Sequence, residues 1–135
     1  PVDAPIPVEV VTANSDEEVA AFYRSLDVFV TASVSDGAQL GVLEAMACGT
    51  PVVATDAVGI RDYATPGVNC FMGLPGDAQM LGNLVLAALR DRDRARGFAD
   101  AALQMARNRT WDAFVDAVVA AVQAACAEWR RGVKP

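Results

Sequence analysis

Three short apolar runs that lack polar alternation constrain this chain more than any other feature. Asp27-Val28-Phe29-Val30-Thr31, Val52-Val53-Ala54 and Cys70-Phe71-Met72 are rich in β-branched and aromatic side chains and read as strands. A strand apolar on successive residues must be covered on both faces, the situation of a parallel sheet between helices. The intervening segments fit that demand. Leu40 to Ala47 is a compact helix stopped by Gly49 and Pro51, and a short helical piece follows around Ile60 to Ala64. Upstream, the β-branched run Val8 to Val11 predicts a fourth strand, ended by Thr12-Ala13-Asn14. Ser15 with Glu18 three residues later is a capping box that opens a helix to about Ser25. Ala20, Ala21, Phe22 and Leu26 are its expected inward face. Strand and helix in alternation give an α/β, Rossmann-like parallel sheet with right-handed crossovers.

After residue 75 the pattern is wholly helical. Pro75-Gly76-Asp77 starts a helix, with Asp77 as its cap and Leu81, Leu84, Val85 and Ala88 as its apolar face. A second helix covers about Asp93 to Arg107. A third runs from about Thr110 to Arg131, with Trp111, Val115, Val118, Val122, Ala125 and Trp129 spaced 4-3-4-3-4. The 135 residues therefore form one domain, alternating over 1–74 and helical over 75–135. At this mass a compact fold exposes about 6,800 Å².

Composition removes whole classes of chemistry. There is no histidine, which excludes Ser-His-Asp triads, HExxH zinc sites and imidazole bases from this chain. Without a base, Ser33 and Ser35 are not nucleophiles. Seventeen acidic residues against eleven basic ones give a net charge of −6, the wrong sign for a general nucleic-acid binder or an anionic-membrane binder. Arg90-Asp91-Arg92-Asp93-Arg94 with Arg96 reads as a salt-laced solvent face. Cys48, Cys70 and Cys126 read as reduced core thiols of a cytoplasmic protein. No apolar run reaches the length of a membrane span. Pro1 to Pro5 carry no signal-peptide pattern, and a start without methionine reads as a start inside a longer protein.

In an open parallel sheet, ligands bind beyond the carboxyl ends of the strands. One such end here is Thr31-Ala32-Ser33-Val34-Ser35-Asp36-Gly37, leading into a helix start whose free N–H groups and dipole favour an anion such as phosphate. Gly37 lets the backbone approach a ligand closely. Glu44, one turn into that helix, has two acceptor oxygens suited to a vicinal diol such as the ribose 2′- and 3′-hydroxyls. Asp36 offers the same chemistry to a second hydroxylated group.

The string from Ser35 through Asp36-Gly37-Ala38-Gln39-Leu40-Gly41-Val42-Leu43-Glu44-Ala45-Met46-Ala47-Cys48-Gly49-Thr50-Pro51 to Asp56 resembles the donor-binding half of GT-B fold glycosyltransferases. The likeness is to the retaining, nucleotide-sugar-dependent group with a Glu-x7-Glu motif. It extends through Gly59-Ile60, Gly67-Val68-Asn69, Pro75-Gly76-Asp77 and Thr110-Trp111-Asp112. The resemblance implies that Glu44 holds the ribose hydroxyls and that Asp36 contacts the transferred sugar. It further implies that the backbone of Gly37, Ala38, Gln39 and Leu40 faces sugar and phosphates. A nucleoside diphosphate sugar is then the donor substrate, with no metal cofactor. Two residues depart from the pattern: Asp36 replaces a longer Glu, and Gln39 replaces a glycine usual in that loop.

The resemblance also implies missing parts. An intact GT-B enzyme has an N-terminal acceptor domain, and its donor domain begins with two strands carrying a basic pair for the pyrophosphate. Between Asp27 and Ile60 this chain has no Lys or Arg, against Asp27, Asp36, Glu44 and Asp56. The chain thus reads as a partial donor domain with four strands visible and two absent between Val8–Val11 and Asp27–Thr31. That leaves three outcomes for Val8–Val11: direct pairing with Val28–Thr31, a gap filled by another copy or segment, or poor docking of the first twenty-five residues. Self-association through the incomplete sheet or the terminal helix follows as a partner expectation. Trp129, with Arg130, Arg131 and Lys134 after it, is either core edge or interface. The intact enzyme is expected in the cytoplasm, with a peripheral position at the inner face of a membrane left open. The rival reading is a non-catalytic, degenerate half serving as a nucleotide-binding or protein-interaction module. An epimerase of nucleotide sugars ranks below both, because such sites draw on histidine.

Overall fold

The computed structural model describes residues 7–132, so the readings made on Pro1 to Pro5 and on Lys134 fall outside the described residues. Its centre is a parallel sheet of β1 (Phe29–Thr31), β2 (Val52–Thr55) and β3 (Phe71–Gly73) in the order β1-β2-β3. Val53 pairs with Val30 on one side and with Phe71 on the other. All four residues of β2 are buried. Val52 and Ala54 face one apolar cluster with Val42, Ala45, Met46 and Ile60, while Val53 faces another with Phe71, Ala88 and Ala95. That is why this strand shows no polar alternation. Burying each valine fully stabilises the fold by about 1.5–3 kcal/mol.

The helices are α1 (Asp16–Ser25), α2 (Leu40–Ala47), α3 (Ala78–Arg90), α4 (Arg92–Arg107) and α5 (Trp111–Arg130), with a 3₁₀ turn at Val58–Ile60. The predicted caps hold. Ser15 Oγ accepts from Glu18 N–H, and Glu18 reaches back one residue beyond the cap to Asn14 N–H. Asp77 accepts from Met80 N–H at 2.8 Å, and Thr110 caps α5 through Ala113 N–H. On α4 a stripe of small residues, Ala95, Ala99 and Ala102, is buried and lets the helix lie close on α2.

Three expectations are corrected. Val8 to Val11 is not a strand: residues 7–14 have no regular structure, and Val8, Val10 and Val11 are exposed. The sheet therefore has three strands rather than four. A β-branched run acquires strand character only from a neighbour to pair and pack with, and none lies beside this one among the described residues. The inward face of α1 is Val19, Tyr23 and Leu26, an i, i+4, i+7 stripe, whereas Ala21 and Phe22 face solvent. The thiols do not share one environment: Cys70 is buried, Cys48 partly so, and Cys126 exposed. Burial pushes the Cys70 thiol up to about 11. At α5 the structure decides between the two readings of Trp129, against core edge. No residue of α5 is buried, and Trp111 and Trp129 are 80% and 71% exposed. Accessible surface totals 9448 Å², well above the compact value of about 6,800 Å². No single helix among the described residues is both long and apolar enough to cross a membrane.

Candidate functional site

The carboxyl end of β1 and the start of α2 frame a cleft of about 570 Å³. Phe29 and Thr31 form its floor, and Asp36, Ala38, Gln39 and Leu40 line it from the loop and helix start. Of the residues singled out from sequence, these last four meet in one cavity. Gly37 and Glu44 do not line it. The backbone N–H groups of residues 37–41 have no acceptor among the described residues, and those at the helix start gather partial positive charge. Among the described residues no three His, Cys, Asp or Glu side chains cluster as a metal site would need.

Gln39 closes the loop onto α2 with φ +41°, the one described non-glycine residue in the left-handed region. A side chain there costs about 1–2 kcal/mol, which accounts for a glycine being the ordinary choice. Gln39 is 8% exposed, and its Nε2 is buried with no hydrogen-bond partner. Its Oε1 accepts only a long bond, 3.4 Å, from Thr31 Oγ1.

Glu44 is exposed on α2. Tyr23, reaching across from α1, donates its hydroxyl to Glu44 Oε2 at 3.0 Å. Burial, then the Glu44 hydrogen bond, pushes the Tyr23 phenol up to about 12. A Cβ at Gly41 would lie 3.3 Å from that hydroxyl, so the glycine gives the contact room. One carboxylate oxygen of Glu44 is thus anchored, and Oε1 remains open to a ligand hydroxyl.

Three residues that sequence reasoning passed over shape the loop. A Cβ on Gly59 would sit 1.0 Å from the Gly37 carbonyl oxygen; the turn after β2 therefore presses on the loop after β1 with nothing between. Tyr63 donates its hydroxyl to Ala38 O at 2.6 Å and to Gln39 O at 3.1 Å. Burial first, then the negative charge of Asp36, pushes this phenol up to about 12, with Arg109 opposing. Arg109 lies over the Tyr63 ring at 5.8 Å and donates to Asp62 O. Only Gly59 left a trace in the sequence, as part of the resemblance; an aromatic at 63 looks like core from sequence alone. Asn69 lies in the turn that follows. Positive φ falls on Gly67, while the buried Asn69 accepts from Thr65 N–H at 2.6 Å and donates to Tyr63 O at 2.8 Å.

The acidic character of the region is narrower than the composition suggests. Arg61, one residue beyond the cation-free stretch, clasps Asp56 with Nε–Oδ1 at 2.7 Å and a second bond at 3.0 Å. This pairing holds the Asp56 carboxyl below its ordinary range. Asp27 pairs with Arg92 at 3.2 Å. Asp36 and Glu44 have no ion-pair partner among the described residues. A second cavity, about 330 Å³, opens near the amino ends of β1 and β2 among Arg24, Asp27, Arg92, Arg96 and Asp100, away from these groups.

The profile of the group 1 glycosyl transferases matches residues 5–91 of the chain. A D-inositol 3-phosphate glycosyltransferase of Thermomonospora curvata is 37% identical over 99 residues, which are 73% of this chain and 23% of that protein. The sulfoquinovosyl transferase of Arabidopsis thaliana is 36% identical over 100 residues, 72% of this chain and 20% of its own length. The chain spans about a quarter of the length of the curated relatives it matches. Among solved structures, Anabaena HepE in complex with UDP-glucose superposes with a TM-score of 0.71 at 26% identity, covering 80% of this chain and 30% of HepE. Sucrose-phosphate synthase from Thermosynechococcus elongatus gives 0.74 at 28% identity over 86% of this chain and 30% of that one.

Proposed function

This chain belongs to the group 1 glycosyl transferases, and from that premise we propose that it is the donor-binding part of a retaining glycosyltransferase. The intact protein moves a sugar from a nucleoside diphosphate sugar to a hydroxyl acceptor and keeps the anomeric configuration. One observation carries the reading. The amides of residues 37–41 have no acceptor among the described residues and belong to the loop and helix start whose Asp36, Ala38, Gln39 and Leu40 line the cleft, so anion donors and a hydroxyl-binding carboxylate sit on one loop. HepE, which shares the fold, was solved with UDP-glucose, a ligand of the same chemical class.

In this reading Glu44 accepts from the ribose diol through the oxygen that Tyr23 leaves open. Asp36 accepts from a sugar hydroxyl, and the amides of Gly37, Ala38, Gln39 and Leu40 face the phosphates and the sugar. Catalysis is then positioning, with hydrogen-bond donors stabilising the departing diphosphate. Backbone amides alone meet that charge here, since Arg61 is committed to Asp56. The acceptor domain and the basic pair for the pyrophosphate belong to sequence outside this chain, and a cytoplasmic location is part of the same reading. A degenerate, non-catalytic half is the weaker alternative: it draws on Asp36 and Gln39 alone, while the matched relatives are named as transferases.

The test is product stereochemistry. The full-length protein is incubated with nucleotide sugars and an acceptor alcohol, and the anomeric proton of the product is followed by NMR. Transfer with retention is expected. Inversion, or hydrolysis with no transfer from any donor, overturns the proposal.

A further inference from the structure

We infer that Tyr63 is a positioning residue for this loop: its hydroxyl holds Gln39 in the left-handed conformation and so sets the direction of the Gln39 and Leu40 amides that the donor reading uses. The inference rests on reading that loop as the donor site. It starts from an apparent contradiction at position 39. The backbone is left-handed, yet the residue carries a long side chain, and the end of that side chain is buried with an unpartnered nitrogen. Features of this kind persist only where the surroundings over-determine them, and they gather at functional sites.

The surroundings do so through one atom. The single hydroxyl proton of Tyr63 is shared between the carbonyls of Ala38 and Gln39. The Gln39 carbonyl also accepts the first hydrogen bond of α2, from Val42 N–H at 2.9 Å. Fixing these two carbonyls sets the peptide planes on either side of residue 39, and so the direction of the adjoining N–H groups. Tyr63 is itself held by two contacts and by burial. Asn69 Nδ2 donates to its carbonyl, the Arg109 guanidinium lies over its ring, and it is 7% exposed. The phenol is a fixed post against which a strained loop is tied. A glycine at 39 would adopt this backbone without help, so the tyrosine and the glutamine form a matched pair.

That pairing makes a sharp test. Tyr63→Phe keeps the ring and removes the hydroxyl; Gln39→Gly removes the strain; the double variant removes both. Two measurements are made on the full-length protein with each variant: amide hydrogen exchange without ligand, read on the peptide that carries Val42, and calorimetric titration with UDP and UDP-glucose. In Tyr63→Phe the Val42 amide should exchange faster, and the Kd for UDP should rise about 5–10-fold, the scale for one hydrogen bond. Adding Gln39→Gly should bring the Kd of the double variant to within about twofold of Gln39→Gly alone. Unchanged Val42 exchange in Tyr63→Phe overturns the inference whatever binds. Equal affinity of Tyr63→Phe and the wild type overturns it, and so does an equal loss from the tyrosine change in both backgrounds, because ordinary packing predicts no rescue. Full-length wild type that binds neither nucleotide defeats the donor reading instead, and the exchange data then still decide whether the clamp exists.

Discussion

The segment from β1 to β3 and the helix α5 are both written in apolar code, and they end in opposite states. Within the first, Val42, Met46, Val52, Val53, Ile60 and Cys70 are at most 1% exposed. Along the second, a 4-3-4-3-4 stripe from Trp111 to Trp129 buries nothing. A periodic stripe states that a face is apolar; it does not state that the partner lies in the same chain. The non-alternating strands were the safer guide, because a short apolar strand has two faces to cover and the flanking segments supply both covers. The stripe on α5 fixes only one side of an interface.

The comparison can be broken most directly in the core. Met46→Ala should cost about 2–5 kcal/mol, whereas Val118→Ala, at an exposed position of α5, should stay within about 0.5 kcal/mol. Urea midpoints of the two variants measure this, and a Val118 loss as large as that of Met46 would mean that α5 is covered in solution. Next comes the contact between loops. Gly59→Ala drives a methyl group into the Gly37 carbonyl, an overpacking expected to cost up to about 3 kcal/mol; a neutral outcome in the same assay would show that the two loops separate freely.

The site offers a finer cut. If Glu44 holds a diol, Glu44→Gln should weaken binding of UDP by about 1–3 kcal/mol and leave the urea midpoint near the wild type. Titration with 2′-deoxy-UDP sharpens the point, because wild type and variant should then differ much less.

The smallest effect is in pH. Tyr23 and Tyr63 are the two tyrosines of the chain, and both are pushed from 10 to about 12. The folded state favours the neutral phenol, so this contribution is complete below pH 10 and is lost as pH rises towards 12. Cys70, raised from 9 to about 11, adds the same sign from a lower pH. Phenolate absorbance should show no midpoint near 10 while the chain is folded. A tyrosine titrating there would show that its phenol is not buried as described.

How much of this was legible follows from where each signal lives. Strand and helix positions from residue 28 to 107 were readable because their causes are local. Two-faced apolar runs, cap residues one turn ahead of a helix, and Gly49 with Pro51 at a helix end all act within a few residues. Val8 to Val11 failed for the opposite reason: its β-branched side chains need a neighbouring strand that the described residues do not provide. At the site, Asp36 and Glu44 were reachable through spacing and resemblance. Tyr63 was not, since its role depends on two carbonyls some twenty-five residues upstream. Gly59 has no positive φ to betray it; only the distance to Gly37 explains it. Arg61 escaped notice by one residue, yet it leaves Asp36 and Glu44 as the unpaired charges of the loop region.

The bare helix has a consequence for how the chain moves through solvent. Twenty residues of α-helix are about 30 Å long, and α5 leaves α4 at a bend of 50°. A compact chain of this length has a radius of gyration of about 14 Å, so the helix spans roughly twice that radius without packing alongside the sheet. The chain as described is a knob with a handle. Its rotational diffusion is anisotropic, and its scattering profile carries a longer maximum dimension than its mass would give a sphere. Any partner that folds the handle down shortens that dimension and speeds tumbling about the short axes, so shape in solution reports the covering of α5 before any contact is mapped.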